Sequence, residues 1–298
     1  MRLISGRPIT RVAGIRINGI GLAEDIKRSV RRAVAKLRQG GIDPCLATVL
    51  VGGDPASATY VKKKHESCAE VGITTVDRRL GEGTAQEDLN NAVDGLNGDA
   101  RIHGILLQLP LPGHLDPAEA ISRISPDKDV DGLTAYNAGR LAVGRPGLVP
   151  CTPLAIMYIL DHCKIDLAGK TAVVISRSNL VGKPVHHLLL QRDATVITCH
   201  SKTRNLRDLC TLADVVVTAV GNRDVFELTP EMLRDGCAVI DVAITRHNGR
   251  LTGDTDYDKI SAKAAHITPV PGGVGPMTVA MLLKNTVSAA AGQNGIEI

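Results

Sequence analysis

The sequence predicts an α/β protein built as two α/β domains, the second a Rossmann-like parallel sheet. Three observations predict it. Short apolar runs of strand length alternate with helical segments, most regularly in the second half. A stretch dense in Gly and Pro, "GRPGLVPCTP" (144–153), separates the halves and is the candidate hinge. The chain has 298 residues, of which 44% are hydrophobic, which suits two modest domains with real cores and excludes a disordered chain.

Taken in order, residues 18–39 carry apolar positions at helical spacing and read as a first helix. "CLATVLVG" (45–52) is a buried strand ending in Gly. Gly52, Gly53, Asp54 and Pro55 then form a turn, with Asp54 as N-cap and Pro55 at the first helical position. The helix they open, "SATYVKKKHESCAEVG", stops at Gly72. "IHGILLQLPLP" (102–112) is a strand halted by prolines. Beyond the hinge come a strand at 170–176, a helix at 183–193 and a strand at 194–200. "NLRDLCTLA" is a short helix, 214–221 and 236–244 are strands, and 277–292 is a final apolar helix. Strands alternating with helices in this way mean a parallel sheet covered on both faces.

The bulk chemistry excludes several function classes. The net charge of +4 is mild and dispersed, so it argues against nucleic acid while suiting an anionic small ligand. The apolar runs fall far short of the ~20 residues a membrane-spanning helix needs. The opening "MRLISGRPITRVAG" lacks the apolar core of a secretory signal. Seven cysteines at scattered spacings, none in CxxC, read as reduced thiols of a cytoplasmic protein. No ligand cluster for a metal is visible, so none is expected.

Three consecutive lysines behind a scarce tyrosine raise a sharper question, because helical phase separates them. At about 100° per residue from Tyr60, Lys64 falls near 40°, within the apolar arc of Val61, Cys68 and Val71. Lys62 and Lys63 fall on the side of Glu66 and Glu70 and read as solvated. A lysine on an apolar face loses solvation, which favours the neutral amine and base chemistry. Snorkelling from the core edge is the competing reading, and phase alone favours it. His65 reads as a packed core histidine.

In the second half, "VVISRSNLVGKPV" joins a strand to a helix, where a doubly wound sheet holds a pyrophosphate. GxGxxG is absent, and only Gly182 supplies close approach. The next strand ends in "CHSKTR" rather than in an acid. Ser201, Lys202 and Arg204, with Arg177 in the preceding turn, suit a 2′-phosphate and hence NADP. An ordinary polar turn is the even alternative. "TPVPGGVGPMT" (268–278) packs prolines and glycines before a helix, as a chain lying close along a flat ligand would.

Together these runs resemble the bifunctional methylenetetrahydrofolate dehydrogenase/methenyltetrahydrofolate cyclohydrolase (FolD) family. "VGGDPASATYVKKKHESCAEVGI", "GILLQLPLPGHL", "PDKDVDGLTAYNAGRL", "PCTPLAI", "RSNLVGKP", "TVITCHSKT", "DVVVTAVG", "VIDVAITR" and "ITPVPGGVGPMTVAMLL" follow the family's order from about residue 17 to 290. The resemblance implies an active-site cleft between a folate-binding catalytic domain (1–150 plus 276–298) and an NADP-binding Rossmann domain (151–275). It implies that Tyr60 stacks on the folate, that Lys64 is the catalytic lysine and that Gln108 hydrogen-bonds it. Asp131 would bind the pterin edge, where a carboxylate meets adjacent N–H donors. Asp129 would be structural. Pro271, Gly272 and Gly273 would lie along the folate. Ser176, Arg177, Ser178, Ser201 and the Ile244 backbone would bind NADP. The implied partners are tetrahydrofolate one-carbon derivatives and a second copy of the chain, in a homodimer formed through the cofactor domains. The implied reactions are oxidation of 5,10-methylenetetrahydrofolate and hydrolysis of the methenyl product to 10-formyltetrahydrofolate.

The sequence departs from the family's pattern at two informative places. The family turn GRS is here Ser176-Arg177-Ser178, and a serine would be strained if that position needed φ > 0. "DVGINR" is here "DVAITR", with Ala243 and Thr245. Both leave open an NAD-preferring or cyclohydrolase-dominant variant. A folate- or nucleotide-binding protein without catalysis is the alternative from another class. Residues 1–14 precede the family's usual start.

Overall fold

A computed structural model describes residues 14–145 and 147–298. The segment read above for a secretory signal lies, up to residue 13, outside the described residues, as does Pro146 of the candidate hinge.

The first half of the chain runs β1 (Ile15–Arg16), α1 (Gly19–Gln39), β2 (Cys45–Val51), α2 (Pro55–Val71), β3 (Thr74–Leu80), α3 (Gln86–Gly98), β4 (Gly104–Leu107), α4 (Pro117–Arg123) and α5 (Ala135–Ala142). The second half runs α6 (Cys151–His162), β5 (Thr171–Ile175), α7 (Gly182–Leu190), β6 (Thr195–Cys199), α8 (Leu206–Thr211), β7 (Val215–Thr218), β8 (Ala238–Asp241), β9 (Thr245–His247), β10 (Arg250–Thr252), α9 (Tyr257–Ser261), β11 (His266–Ile267) and α10 (Val274–Gln293), with a 3₁₀ turn at Pro230–Met232.

Two parallel sheets result. β3-β2-β4 is the smaller, and β2, "CLATVLV", is buried along its whole length because both faces are covered, Leu46 joining one cluster and Cys45, Ala47, Val49 and Val51 another. β4 stops at Leu107, before Pro110 and Pro112, which have no N–H to continue a ladder. The larger sheet has the order β1-β11-β8-β7-β5-β6. Strand β1 precedes α1 in the chain yet pairs with β11, so the first described strand crosses to the second sheet. β9 and β10 form a separate antiparallel hairpin.

Between the sheets lie α1, α6 and α10. Leu22, Ile26, Val30, Val34 and Leu37 make the buried stripe of α1, and α10 is buried nearly all round. One hydrophobic cluster joins this layer to Leu46 and Leu106 of the small sheet and to Val174, Val217 and Ile240 of the large one. Order reverses beside β5, with β6 on one side and β7 on the other, so the carboxyl ends of β5 and β7 form a topological switch point. No helix among the described residues is long and apolar enough to cross a membrane.

Candidate active site

Helix α2 is fixed at both ends, and that fixes its phase. Asp54 accepts from the Ser57 N–H at 2.8 Å, Pro55 occupies the first turn, and Gly72 closes the helix at φ +84°. Val61, Cys68 and Val71 are buried. Tyr60 and Lys64, one turn apart, line a cavity of about 340 Å³ with Ile244 and the 269–273 segment, within the range of small-ligand sites. Lys62 is exposed, 3.9 Å from Glu66. Lys63, expected only on the solvated side, also lines this cavity.

Lys64 is half-buried rather than fully dry, and its Nζ donates to Gln108 Oε1 at 3.0 Å. Gln108 sits just past the end of β4 and is 8% exposed. Its Nε2 donates to Leu109 O at 2.7 Å, so the amide is held with Oε1 towards the lysine. Tyr60 is 52% exposed at the cavity mouth, open to anything flat laid against it. His65 is a satisfied histidine, its Nε2 2.8 Å from Thr48 Oγ1, and burial pushes its pKa down.

The two acids of "DVDG" divide cleanly. Asp129 is buried and accepts from Leu133 N–H, Thr134 N–H and Asn137 Nδ2 at 2.8–3.0 Å, which is a structural duty. Asp131 keeps its carboxylate largely free, touched among the described residues only by the Cys151 thiol at 3.6 Å. Desolvation raises its pKa and the neighbouring charge of Asp129 adds to this, while the Lys64 charge and the Cys151 thiol oppose it. Asp131 therefore lies within electrostatic reach of Lys64.

At the other wall, Val270-Pro271 is a cis peptide, as is Leu109-Pro110 beside Gln108. Pro271, Gly272, Gly273 and Ile244 all line the same cavity as Tyr60 and Lys64. Sequence reasoning assigned no role to Asp241, which lies at the cavity and is 1% exposed. It accepts from Ala243 N–H, Asp254 N–H, Thr255 N–H and Thr255 Oγ1. Burial, helped by Asp254, pushes its pKa up to about 6 against these donors. Its only sequence signal was an acid ending an otherwise apolar strand.

Serine at 176 is not in the left-handed region, since its φ is not among the positive ones, so the strain expected for a positive φ there is absent. The demanding position is Gly182, where a Cβ would stand 2.2 Å from Ser176 O, so α7 begins hard against the end of β5. Ser178 Oγ accepts from Val181 and Gly182 N–H at 3.1 and 3.3 Å and shapes that turn. Arg177, Ser201, Lys202 and Arg204 are exposed, and none has a side-chain partner among the described residues. Cations left free at the ends of β5 and β6, beside a switch point, fit the phosphates of NADP.

A Rossmann-like sheet facing a lysine–glutamine pair across a cavity defines a two-domain oxidoreductase of the dinucleotide-binding class. The sequence profile "Tetrahydrofolate dehydrogenase/cyclohydrolase, catalytic domain" matches residues 17–131, and the companion "NAD(P)-binding domain" profile matches residues 150–294. The chain belongs to the tetrahydrofolate dehydrogenase/cyclohydrolase family. It is 59% identical over 275 residues to the "Bifunctional protein FolD" of Cenarchaeum symbiosum, covering 92% of this chain and 98% of that protein. Its fold matches the crystal structure of bifunctional FolD from Campylobacter jejuni with a TM-score of 0.92 at 43% identity, over 94% of this chain and all of that one. The Trypanosoma brucei enzyme, whose structure was solved with NADP cofactor and inhibitor, matches with a TM-score of 0.89 at 38% identity, over 95% of this chain and 99% of that one.

Proposed function

We propose that this chain oxidises 5,10-methylenetetrahydrofolate with NADP and hydrolyses the methenyl product to 10-formyltetrahydrofolate. The observation that carries the reading is the Lys64–Gln108 hydrogen bond of 3.0 Å, at a cavity shared with Tyr60 and the Pro271–Gly273 segment. A flat pterin laid on Tyr60 would bring its one-carbon bridge to Lys64 and its N–H edge to Asp131.

The chemistry supplied by bound NADP is acceptance of a hydride from the one-carbon bridge. The protein's own part is alignment and proton handling. Arg177, Ser201, Lys202 and Arg204 would hold the phosphates, with Ser176 and Ser178 shaping the turn after β5. The Ile244 backbone would contact NADP and the 271–273 segment would lie along the folate, since both line the cavity of Tyr60 and Lys64. In the hydrolytic step, water attacks the methenyl carbon and loses one proton to solvent, and Lys64 Nζ, held by Gln108, relays the other to N5 as the N5–carbon bond breaks and leaves the formyl group on N10. The exposed cations Arg177, Lys202 and Arg204 support NADP over NAD.

The catalytic domain, on this reading, comprises the small sheet with α1 and α10, and the cofactor domain comprises β5 to β11. A homodimer through the cofactor domains and a cytoplasmic setting complete the proposal, and light scattering would report the dimer. The decisive assay follows reduced nicotinamide and the methenyl chromophore in separate experiments. Both activities are expected, with NADP preferred to NAD. Absence of both would leave only a binding protein.

A further inference from the structure

Asp131 is the one acid of its turn whose carboxylate the fold leaves unspent, and what holds it comes from far along the chain. Asn285 of α10 is 5% exposed and carries two amide hydrogens. Nδ2 donates to Val130 O and to Val149 O, each at 2.8 Å. The first carbonyl immediately precedes Asp131, and the second lies two residues before Cys151. Between these anchors, Gly132 has φ +62°, and a Cβ there would come within 2.7 Å of the Pro150 nitrogen. The 148–150 segment therefore packs directly on the turn that carries Asp131.

The Cys151 thiol completes the arrangement. It has one proton and two acceptors in reach, Val130 O at 3.4 Å and Asp131 Oδ1 at 3.6 Å. Burial, with the Asp131 charge nearby, pushes the thiol well above its ordinary value, so it remains a donor. An S–H group is a weak donor. It can release the carboxylate at little cost and turn to Val130 O, which Asn285 already satisfies. Neither state leaves a buried group without a partner.

We propose that Asn285 and Cys151 are positioning residues for the folate-binding carboxylate: Asn285 fixes the backbone on both sides of Asp131, and the Cys151 thiol is an exchangeable donor that yields to the N–H groups of the substrate. This rests on the reading of Asp131 as the pterin contact. The ionisable groups facing that carboxylate are Lys64 from α2, Asp129 from the same turn and Cys151 from α6, while Asn285 is the neutral contribution of α10.

Steady-state kinetics of the full-length enzyme test it. For Asn285→Ala, KM for methylenetetrahydrofolate should rise between about 10- and 100-fold, the penalty of a misplaced contact, with KM for NADP unchanged. For Cys151→Ser, whose hydroxyl is a stronger donor, folate KM should also rise. For Cys151→Ala, the acidic limb of kcat/KM should move to higher pH, because a donor that favours the ionised carboxylate is gone. If Asn285→Ala does not fold, the two Cys151 variants decide the matter. Wild-type folate KM and an unmoved acidic limb across the variants would overturn the proposal. So would a parallel rise of both KM values, which marks general loosening. Asp131→Ala separates the layers: unchanged folate KM there removes the reading of Asp131 itself, whereas a raised KM there beside silent Asn285 and Cys151 variants removes only the positioning.

Discussion

The two walls of the cleft are built on opposite plans. On the small-sheet side the polar groups other than Asp131 are already paired: Lys64 with Gln108, Gln108 with Leu109 O, and Asp129 with Leu133 N–H, Thr134 N–H and Asn137 Nδ2. At the tips of β5 and β6 the cationic groups Arg177, Lys202 and Arg204 stand exposed without side-chain partners among the described residues. The first plan fixes geometry before substrate arrives, as catalysis requires. The second leaves charge in water to be neutralised by an anion, which gives affinity that depends on salt.

The largest effect should come from breaking the prepaired side. Lys64→Met is expected to lower methenyltetrahydrofolate hydrolysis about 10²- to 10⁴-fold, the range for loss of a general acid–base group, read from decay of the methenyl chromophore. NADP affinity should not change, and unchanged hydrolysis would remove Lys64 from the reaction.

Asp241 sharpens the comparison, since it is a buried and fully bonded acid on the cofactor side. Its folded pKa of about 6 lies above the ordinary 3.8, so the folded chain takes up this proton first on acidification. Stability from this group should therefore rise as pH falls through 6 and level off below about 3.8, by up to about 3 kcal/mol, the free energy of raising a carboxyl between those two values. Urea titrations of wild type and Asp241→Asn across that window should differ in slope, and parallel curves would refute the assignment.

Arg177→Ala should weaken NADP by a factor of about 10, the scale of one charge-assisted hydrogen bond of roughly 1.5 kcal/mol. NAD should be barely affected, so fluorescence titrations of both cofactors would reveal the 2′-phosphate contact. Added salt should weaken NADP in the wild type more than in the variant. Smallest of all, Lys62→Ala removes only an exposed pair with Glu66 at 3.9 Å and should change stability by less than about 0.5 kcal/mol in thermal unfolding.

Local rules read much of this molecule from its sequence. The caps of α2 and the distinct phase of Lys64 follow from periodicity and turn chemistry, and both appear in the structure. The resemblance added the partner Gln108, which no spacing rule could supply. Illegible elements share a physical cause. β3, "TTVDRRL", is an edge strand with mostly exposed residues, so it carries no apolar alternation. Two-residue strands such as β1 and β11 are defined only by their neighbours. Lys63 reaches the cavity because the opposite wall meets it there, which helical phase does not contain. Asn285 binds carbonyls 155 and 136 residues away, a relation that exists only after folding.

The early crossing of β1 to the large sheet has a mechanical consequence. The chain passes between the two sheets after β1 and again between β4 and β5, and α10, which follows β11, packs back between them. Plates tied at three points along one chain resist twisting more than plates tied once. Cutting the middle tie alone would leave the outer two in place.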